Sequence, residues 1–521
     1  MNQLGNRVWR PLLAVAAGVA LWSSFAPLGW VFMAPIAISA LTVLVCRSRF
    51  WSAVGWTGLA ALVFFGLLLR WIDVAGPDAW IALSIYCAAW VLFAGMASWC
   101  VVRLPLWPLW IACVWVLQEA LRDRYPWGGF PWGRLAFSQA GAPDVGYAAI
   151  GGAPALTFVV ALVGALLAVP FVPTRITKLV AAPFCVFAAV VIWFGALLIP
   201  LPVSGQVAGG PATTTAALIQ GSVPRQGLDA FGQRQAVLNN HIAATIALSK
   251  QIAAGTVPKP DFVIWPENAT DIDPFSDQNT ARLISAAADA VGVPILVGAV
   301  TTNPAHPEQL WNVGVVWSPG SGPGQKYVKR HPVPFGEFVP FRSVLTPIIG
   351  RYQRVPRDFA VGPFSNVLQL GPARIGDVIC FEVAEDTIVR DAVVGGGRAI
   401  SVQTNNATFG GTAQLDQQAA MARIRAVEHA RTVLVAATSG ITMVVNPAGN
   451  IVASVPVDAQ ADLVRPVHLR DSLTIADRVG AWPEWACVIA ALCATVIGAV
   501  GRRRSSRATR AAGKLGSVIP D

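Results

Sequence analysis

The stretch GDVICFEVAEDTIVRD, residues 376–391, sets a cysteine directly after a short apolar run that favours a β-strand. The remaining cysteines, out of eight in total, lie in or at the ends of long apolar runs: Cys46, Cys87, Cys100, Cys113, Cys185, Cys487 and Cys493. Only Cys380 lies in the less apolar half of the chain. A buried strand cysteine is usually inert core, but a thiol set apart from the apolar runs is also a candidate nucleophile.

Composition indicates a membrane protein. Hydrophobic residues make up 55% and charged residues 13% of the 521 residues, against roughly 25% charged residues in soluble domains. The apolar excess is concentrated in residues 11–201 and 482–501, whereas residues 213–481 have the composition of a soluble domain. Residues 202–212 are small, polar and glycine-containing, which is typical of a linker. We therefore expect a membrane domain at 1–201, a soluble domain and one C-terminal span.

A spanning helix needs about 20 apolar residues. Candidates before the soluble domain lie at 11–27, 29–46, 51–71, 80–102, 104–121, 149–172 and 179–201, and an eighth lies at 482–501. The first is not a cleaved signal peptide by this interpretation, because it lacks a convincing small-residue cleavage site and another apolar span follows at once. The sequence thus predicts about eight spans.

Basic residues predict the orientation. They cluster beside alternate span ends, at Arg7, Arg10, Arg47, Arg49, Arg103, Arg175 and Lys178, and in the tail 502–521. Positive residues favour the cytoplasmic side, so both termini are expected there, with residues 202–481 outside the cytoplasm. The net charge of +10 is explained by this topology, and no nucleic-acid partner is expected.

One predicted outer loop departs from this rule. Residues 121–141, LRDRYPWGGFPWGRLAFSQAG, carry three arginines among aromatic residues and glycines. Arginine and tryptophan at the headgroup level suit contact with phospholipids. An ordinary aromatic belt explains the pattern equally well.

Short β-rich runs alternate with helical segments in the soluble domain. The runs include TAALIQGSV, DFVIWPE, VPILVGAVT, LWNVGVVWSP, ARIGDVICFE, RAISVQTNN and TVLVAATSGITMVVN, and helices are expected at 231–254, 278–290 and 412–430. This alternation predicts a layered α/β domain. Residues 318–327, SPGSGPGQKY, favour a turn between two strands and lack the GK-[ST] pattern of a phosphate loop.

Three reactive side chains stand at the ends of strand-like runs: Glu267, Lys329 and Cys380. A carboxylate can take the thiol proton and return it later, and a protonated lysine can stabilise the oxyanion of a tetrahedral intermediate together with a backbone N–H near the nucleophile. These are the parts needed for acyl transfer through a thioester. Lys329 could instead be a solvated strand end. The histidines show no metal-ligand spacing, so no metal is expected.

The motifs resemble a known signature. WPE (265–267), KRHPVPFGEFVPF (329–341) and ICFE (379–382) resemble the Glu–Lys–Cys signature of the nitrilase superfamily. The whole chain resembles the apolipoprotein N-acyltransferases, which add the third acyl chain to bacterial lipoproteins. Further matching stretches are FAPLGW (25–30), GFPWGRLAFSQ (129–139), ALIQGSVPR (217–225) and NNATFG with MARIRAVEHAR (405–431). The resemblance implies a polytopic helical membrane bundle carrying an extracytoplasmic nitrilase-like αββα sandwich, in the bacterial plasma membrane.

The resemblance also implies residue roles. Glu267 would be the general base, Lys329 the oxyanion stabiliser and Cys380 the nucleophile. Glu337 matches a second active-site glutamate that orients the lysine, although it could instead cap a turn. The backbone N–H of Phe381 would be the second oxyanion donor.

Glu382 matches a further functional glutamate, although it could instead pair with Arg390. The chain departs from the family pattern at Phe381, where tyrosine is common, and at Thr408, where tryptophan is common. Residues 413–423, AQLDQQAAMAR, replace a more aromatic run that contains histidine. These departures leave the catalytic trio intact and affect the expected shape of the lipid pockets.

The implied reaction moves a fatty acyl group from a membrane phospholipid, through a Cys380 thioester, to the amine of a diacylglyceryl-cysteine at a lipoprotein N-terminus. No cofactor is needed, because the thioester stores the reactivity of the acyl group. One alternative is a membrane-tethered nitrilase-like amidase acting on a small C–N substrate, for which eight spans would be superfluous. Another is a transporter or receptor, but the spans carry almost no interior charge of the kind that transport uses; Glu119 is the main candidate.

Overall fold

The computed structural model describes residues 3–172, 178–208, 210–223, 233–363 and 365–515. Some features used above therefore lie wholly or partly outside the described residues: Arg175, Gly209, 224–225, 231–232 and 516–521. The chain divides into two compact units. The first comprises residues 1–147, 153–199 and 479–521, and the second comprises 148–152 and 200–478.

Long apolar helices dominate the first unit. They are α1 (Gln3–Ser24), α2 (Met33–Cys46), α3 (Phe50–Leu68), α4 (Pro77–Val101), α5 (Trp107–Arg122), α6 (Ala148–Ala168), α7 (Lys178–Gly195) and, at the C-terminal end, α14 (Trp482–Leu515). A helix satisfies its own backbone hydrogen bonds, which is what an apolar segment in lipid requires.

Not all of these helices are equally suited to spanning. Four described segments are long and apolar enough to cross a membrane: Phe50–Leu68, Pro77–Val101, Val145–Phe171 and Trp482–Arg504. Three shorter apolar helices lie at Val8–Ser24, Met33–Cys46 and Ala182–Leu198. Helix α5 has 16 residues, fewer than the about 20 that a span needs. Several apolar helices thus support a membrane protein, and the count of eight spans stays a prediction.

The arginines of the loop 121–141 are not a lipid-facing row. Arg122 is 0% and Arg134 2% exposed, and the Arg122 guanidinium donates to the Trp132 carbonyl and to the Phe130 carbonyl, the latter at 2.8 Å. Arg134 Nε lies 3.2 Å from an Asp123 carboxylate oxygen. The headgroup interpretation is therefore wrong for Arg122 and Arg134, because both are buried and bind backbone carbonyls or a carboxylate inside the unit.

Glu119 belongs to the same buried polar cluster. Its carboxylate accepts hydrogen bonds from the Leu135 N–H at 2.8 Å and from the Thr157 hydroxyl at 2.7 Å, and Arg134 Nε lies 3.7 Å away. A carboxylate buried in an apolar bundle is costly unless it is paired and hydrogen-bonded. Glu119 therefore ties α5 to the loop and to α6, which is a structural role.

The second unit contains two six-stranded sheets. The strands are β1 (Thr213–Gln220), β2 (Phe262–Ile264), β3 (Ile295–Thr302), β4 (Leu310–Ser318), β5 (Gly322–Val328), β6 (Val367–Leu370), β7 (Ala373–Ile379), β8 (Ala399–Thr404), β9 (Val433–Ala437), β10 (Met443–Val445), β11 (Ile451–Ser454) and β12 (Ala461–His468). One sheet has the order β12-β1-β2-β3-β4-β5 and the other β11-β10-β9-β8-β7-β6.

Helices also form in this unit. They are α8 (Arg234–Ala253), α9 (Gln278–Val291), α10 (Arg342–Ile348), α11 (Asp386–Val394), α12 (Gln414–His429) and α13 (Ile475–Val479). Helices α8 and α9 pack on the first sheet, and α11 and α12 pack on the second. The unit is therefore the αββα sandwich that the resemblance implies.

Side chains that point alternately to the two faces of each strand explain how the sheets and helices stack in layers. In β1, Ala216 and Leu218 are buried in the core between the two sheets, whereas Ala217 and Ile219 are buried against α8 and α9. Successive side chains of a strand point to opposite faces, and both faces are covered here. Both faces of β1 are consequently apolar, as in a buried strand.

Candidate active site

The candidate nucleophile lies on a sharp turn. Cys380 follows β7 directly and begins a 3-10 helix that ends at Ala384. Its φ is +53°, a left-handed conformation that non-glycine residues seldom adopt. Strained strand-to-helix turns of this kind present nucleophiles in other enzymes. The strand and the helix together hold the thiol at the end of the sheet.

Glu267 lies three residues beyond the end of β2 and is 5% exposed. Its Oε2 accepts a hydrogen bond from the Asn405 N–H at 2.9 Å, just beyond β8. Gly298 permits a close backbone approach from β3, since a Cβ there would lie 2.0 Å from the Pro266 carbonyl oxygen. The base is thus held by strands of both sheets.

Lys329 follows β5 and is 2% exposed. Its Nζ lies 3.1 Å from Glu267 Oε1 and 3.0 Å from the Glu337 carboxylate. Its backbone N–H donates to the Asn312 carbonyl at 2.9 Å, which fixes the strand end. The structure therefore brings Glu267, Lys329 and Glu337 together in one buried cluster, with the ammonium between the two carboxylates.

Asn312, in β4, completes this cluster and was not predicted from the sequence. Its Nδ2 donates to Glu267 Oε1 at 2.7 Å and to Glu337 Oε1 at 2.8 Å. The Oε1 atoms of Glu267 and Glu337 thus each accept hydrogen bonds from both Lys329 and Asn312. The two donors and the two acceptors form a closed ring. Glu337 Oε2 also accepts from the Val333 N–H at 2.7 Å, which combines the lysine-orienting and turn-capping interpretations in one residue.

Charges shift the pKa values at this site. Burial alone would lower the pKa of Lys329, but the carboxylates of Glu267 and Glu337 outweigh burial and raise the pKa above its ordinary value. Burial, together with the negative charge of Glu267, raises the pKa of the Cys380 thiol to about 12, although Lys329 opposes the shift. At neutral pH the ammonium is therefore charged and the thiol keeps its proton, so the nucleophile needs a base.

Glu382 is completely buried and connects two segments of the site. Its carboxylate accepts from the Ile379 N–H at 2.7 Å, the Arg330 N–H at 2.7 Å and the Tyr327 hydroxyl at 2.8 Å. It thereby joins the residue before the cysteine to the residue after the lysine. Burial raises its pKa, against the charge of Lys329.

The alternative pairing of Glu382 with Arg390 is wrong. The Arg390 guanidinium donates instead to the Asp477 carbonyl, at 2.7 and 2.9 Å. The turn after the cysteine is held by another arginine, Arg425 of α12, which donates to the Val383 carbonyl at 2.8 Å and to the Ala384 carbonyl at 2.7 Å. Phe381 lies in that turn, adjacent to the nucleophile, as a backbone oxyanion donor must.

Two polar side chains also lie close to the sulfur. The Thr404 hydroxyl lies 3.3 Å and Gln418 Nε2 3.9 Å from Cys380 Sγ. Asn312, Thr404 and Gln418 are all buried polar side chains, and nothing in the sequence around them distinguished them from structural residues. A base, a buried cation and a thiol arranged in this way can perform acyl transfer by covalent catalysis.

Comparison with known proteins first identifies the class. Residues 215–466 match the model of the carbon–nitrogen hydrolase family, and residues 17–166 match that of the apolipoprotein N-acyltransferase N-terminal domain. The chain also resembles Nit3 of Saccharomyces cerevisiae, a member of branch 10 of the nitrilase superfamily, with TM-score 0.38, 16% identity and coverage of 53% of this chain and 97% of that one. The second unit thus contains the segment that matches the carbon–nitrogen hydrolase family.

Relatives that match both units identify the family. The chain is 35% identical over 502 residues to the apolipoprotein N-acyltransferase of Mycolicibacterium smegmatis, covering 93% of this chain and 84% of that protein. It is 27% identical over 517 residues to that of Pseudomonas putida, covering 94% and 95%. The chain belongs to the apolipoprotein N-acyltransferase family, which confirms the resemblance seen in its motifs.

Proposed function

We propose that this chain transfers a fatty acyl group from a membrane phospholipid, through a thioester on Cys380, to the N-terminal amine of diacylglyceryl-cysteine in bacterial lipoproteins. The named homologues support lipoprotein N-acylation, and hence an acyltransferase. The single observation that carries the covalent route is the buried Lys329 ammonium, held within 3.1 Å of both Glu267 and Glu337, on a segment that Glu382 joins to the cysteine turn.

The first half-reaction consumes the phospholipid. Glu267 takes the thiol proton as Cys380 Sγ attacks the ester carbonyl carbon, since Glu267 Oε2 accepts one hydrogen bond from the described part of the chain and keeps a lone pair for the proton. Lys329 and the Phe381 N–H stabilise the oxyanion of the tetrahedral adduct. The adduct then breaks its bond to the glycerol oxygen, which receives the proton from Glu267 and leaves as a lysophospholipid.

The second half-reaction consumes the lipoprotein. Its amine attacks the thioester carbonyl, Glu267 takes a proton from the nitrogen, and collapse of the adduct breaks the C–S bond. The products are an amide and a Cys380 thiolate that recovers its proton. Glu337 keeps Lys329 in position, and Glu382 keeps the lysine segment beside the cysteine turn.

We also propose the domain division and orientation described above, with 1–201 and 482–501 in the plasma membrane, 202–212 as linker, 213–481 as the extracytoplasmic catalytic domain, and both termini cytoplasmic. Basic groups within the first unit support this orientation. Arg10 donates to the Arg47 carbonyl at 3.1 Å, and Arg47 donates to the Phe171 carbonyl at 2.7 Å. These contacts place Arg10 and Arg47 together at the end of α2 and beside Phe171, and basic residues favour the cytoplasmic side.

Product analysis tests the function. Purified protein in phospholipid micelles should convert a diacylglyceryl-cysteine peptide to its N-acyl form and release an equal amount of lysophospholipid, and Cys380→Ala should do neither. Release of fatty acid or hydrolysis of small amides without peptide acylation would instead favour the amidase alternative.

Labelling of cells tests the orientation. Cysteines replacing the exposed residues Ser321 and Arg504 should differ in access to an impermeant maleimide, with Ser321→Cys labelled in intact cells and Arg504→Cys labelled only after permeabilisation. The unmodified chain supplies the background from the native cysteines. The opposite pattern would overturn the proposed orientation.

A further inference from the structure

Gln418 is placed to touch the reacting sulfur. It lies on α12 within the run 413–423 and is 5% exposed. Its Nε2 donates toward Cys380 Sγ at 3.9 Å, a long but acceptable distance for a hydrogen bond to sulfur. No role was expected for this residue from the sequence.

Neighbouring donors fix the orientation of this amide. Gln418 Oε1 accepts from Asn406 Nδ2 at 2.7 Å and from Gln414 Nε2 at 3.2 Å. Asn406 Nδ2 also donates to Gln414 Oε1 at 2.9 Å. An amide oxygen is recognised by the donors around it, and the hydrogen bonds among these three amides are consistent with the NH₂ group of Gln418 facing the sulfur.

The other polar group near the sulfur is a less dependable donor. The Thr404 hydroxyl has a single proton, and Cys380 Sγ, Asn406 Oδ1 and Gln418 Oε1 all lie 3.3 Å from its oxygen. Three acceptors therefore compete for one proton. Gln418 has two N–H bonds, and its oxygen is already engaged, so its donor remains directed at the sulfur.

We propose that Gln418 is a further catalytic residue whose N–H stabilises the Cys380 thiolate. Sulfur accepts hydrogen bonds weakly as a thiol or thioester, whereas a thiolate is a strong, charged acceptor. The contact therefore strengthens as negative charge develops on the sulfur, which is the condition for lowering a barrier. The Gln418 N–H acts when the Cys380 thiol is deprotonated and again when the thiolate is expelled from the second tetrahedral adduct. The second effect rests on the proposed acyl transfer.

Alkylation of Cys380 tests this proposal without any lipid. The rate of carbamidomethylation by iodoacetamide is measured against pH, with peptide mapping to separate Cys380 from the other thiols. Gln418→Met removes the donor at similar volume, and Gln418→Glu keeps Oε1 but replaces the NH₂ group. We expect alkylation to be about tenfold slower in Gln418→Met at a given pH, and slower still in Gln418→Glu, because a hydrogen bond to a charged group is lost.

Gln220 provides a matched control. It is completely buried, and its Nε2 donates to the Pro456 and Ala459 carbonyls at 2.8 and 2.9 Å. Gln220→Met should lower the unfolding temperature but keep the wild-type alkylation profile. A wild-type profile in either folded Gln418 variant would overturn the proposal. Slow alkylation in a Gln418 variant would support it even if acyl transfer to a peptide were never observed.

Discussion

Replacing Asn312 with leucine tests whether this residue, which was not predicted from the sequence, holds the catalytic base in place. Leucine keeps the volume but removes Nδ2, which donates at 2.7 Å to Glu267 and at 2.8 Å to Glu337. Two carboxylates would then share one buried ammonium, Lys329. The base would lose a hydrogen bond that holds it in its ionised form and in its present orientation.

The magnitude follows from these contacts. A hydrogen bond to a charged group contributes about 1.5–3 kcal/mol, and Lys329 still satisfies each Oε1 atom, so the lower value applies to each of the two bonds. The combined loss is about 3 kcal/mol, or roughly 10²-fold in the rate of acyl-enzyme formation. The assay is time-resolved intact-mass spectrometry of the acyl adduct after mixing with phospholipid micelles.

Asn366 supplies the control for this change. It is 1% exposed, and its Nδ2 donates to the Ile388 carbonyl at 3.1 Å, outside the catalytic cluster. Asn366→Leu should lower the unfolding temperature while leaving the acylation rate near that of the wild type. If Asn312→Leu formed the adduct within about threefold of the wild-type rate, the argument that Asn312 holds the base would fail.

Three further changes test other parts of the site. Glu267→Gln should abolish acylation of Cys380, because the base that takes the thiol proton is gone; formation of the acyl adduct at the wild-type rate would contradict this role. Burial raises the pKa of Asp377 in the folded protein well above its ordinary value. Below a pH of about 4 the carboxyl is protonated in both the folded and the unfolded chain. As the pH rises toward the folded-state pKa, the unfolded chain alone loses the proton, and the free energy of unfolding falls. The unfolding temperature of Asp377→Asn should therefore decline less than that of the wild type between acidic and neutral pH. An unchanged decline would refute the claim that Asp377 is protonated in the folded protein. Arg425→Met should destabilise the protein by about 3–5 kcal/mol, measured by thermal unfolding, and a loss below about 1 kcal/mol would show that its bonds to the cysteine turn contribute little.

Much of the secondary structure of the second unit could be predicted from the sequence, because the alternation of apolar and polar residues and the turn residues are local signals. The run TAALIQGSV (215–223) supplies residues 215–220 of β1, and the helices expected at 278–290 and 412–430 form as α9 and α12. Run 432–446 differed, since it folds into two antiparallel strands, β9 and β10. The turn between them includes Ser439 and Gly440, which the uninterrupted apolar pattern on either side obscured.

Short elements were missed for a related reason. Helix α11 (Asp386–Val394) has 9 residues, and strand β11 has 4. Periods of 3.6 or 2 need several repeats before they stand out from chance. Such elements form because neighbouring layers bury them, and a single sequence does not display those neighbours.

Some residues of the candidate site could likewise be predicted from the sequence, and others could not. Glu267, Lys329 and Cys380 were visible because each polar side chain ends a strand-like run and carries a recognisable motif. Asn312 lies inside the run LWNVGVVWSP, so nothing local distinguishes it from a structural asparagine. Its role emerges only when the order of the sheet places β4 between β3 and β5, beside the strand that Lys329 follows.

Burial of charge was the least predictable feature. The arginines of the loop 121–141 suggested an exposed basic surface, yet Arg122 and Arg134 are buried. Their partners include the Trp132 carbonyl and Asp123. Whether a charge faces outward depends on which backbone carbonyls and carboxylates the fold brings to it, and residue spacing does not encode that.

The most direct test of the central claim is the covalent state of Cys380. Purified protein incubated with phospholipid micelles is analysed by intact-mass spectrometry and peptide mapping, beside Cys380→Ala. We expect one fatty-acyl adduct on Cys380 that hydroxylamine removes and that a diacylglyceryl-cysteine peptide accepts as an amide. Acylation of the peptide by Cys380→Ala, or by wild-type protein that never carries an adduct on Cys380, would contradict the account.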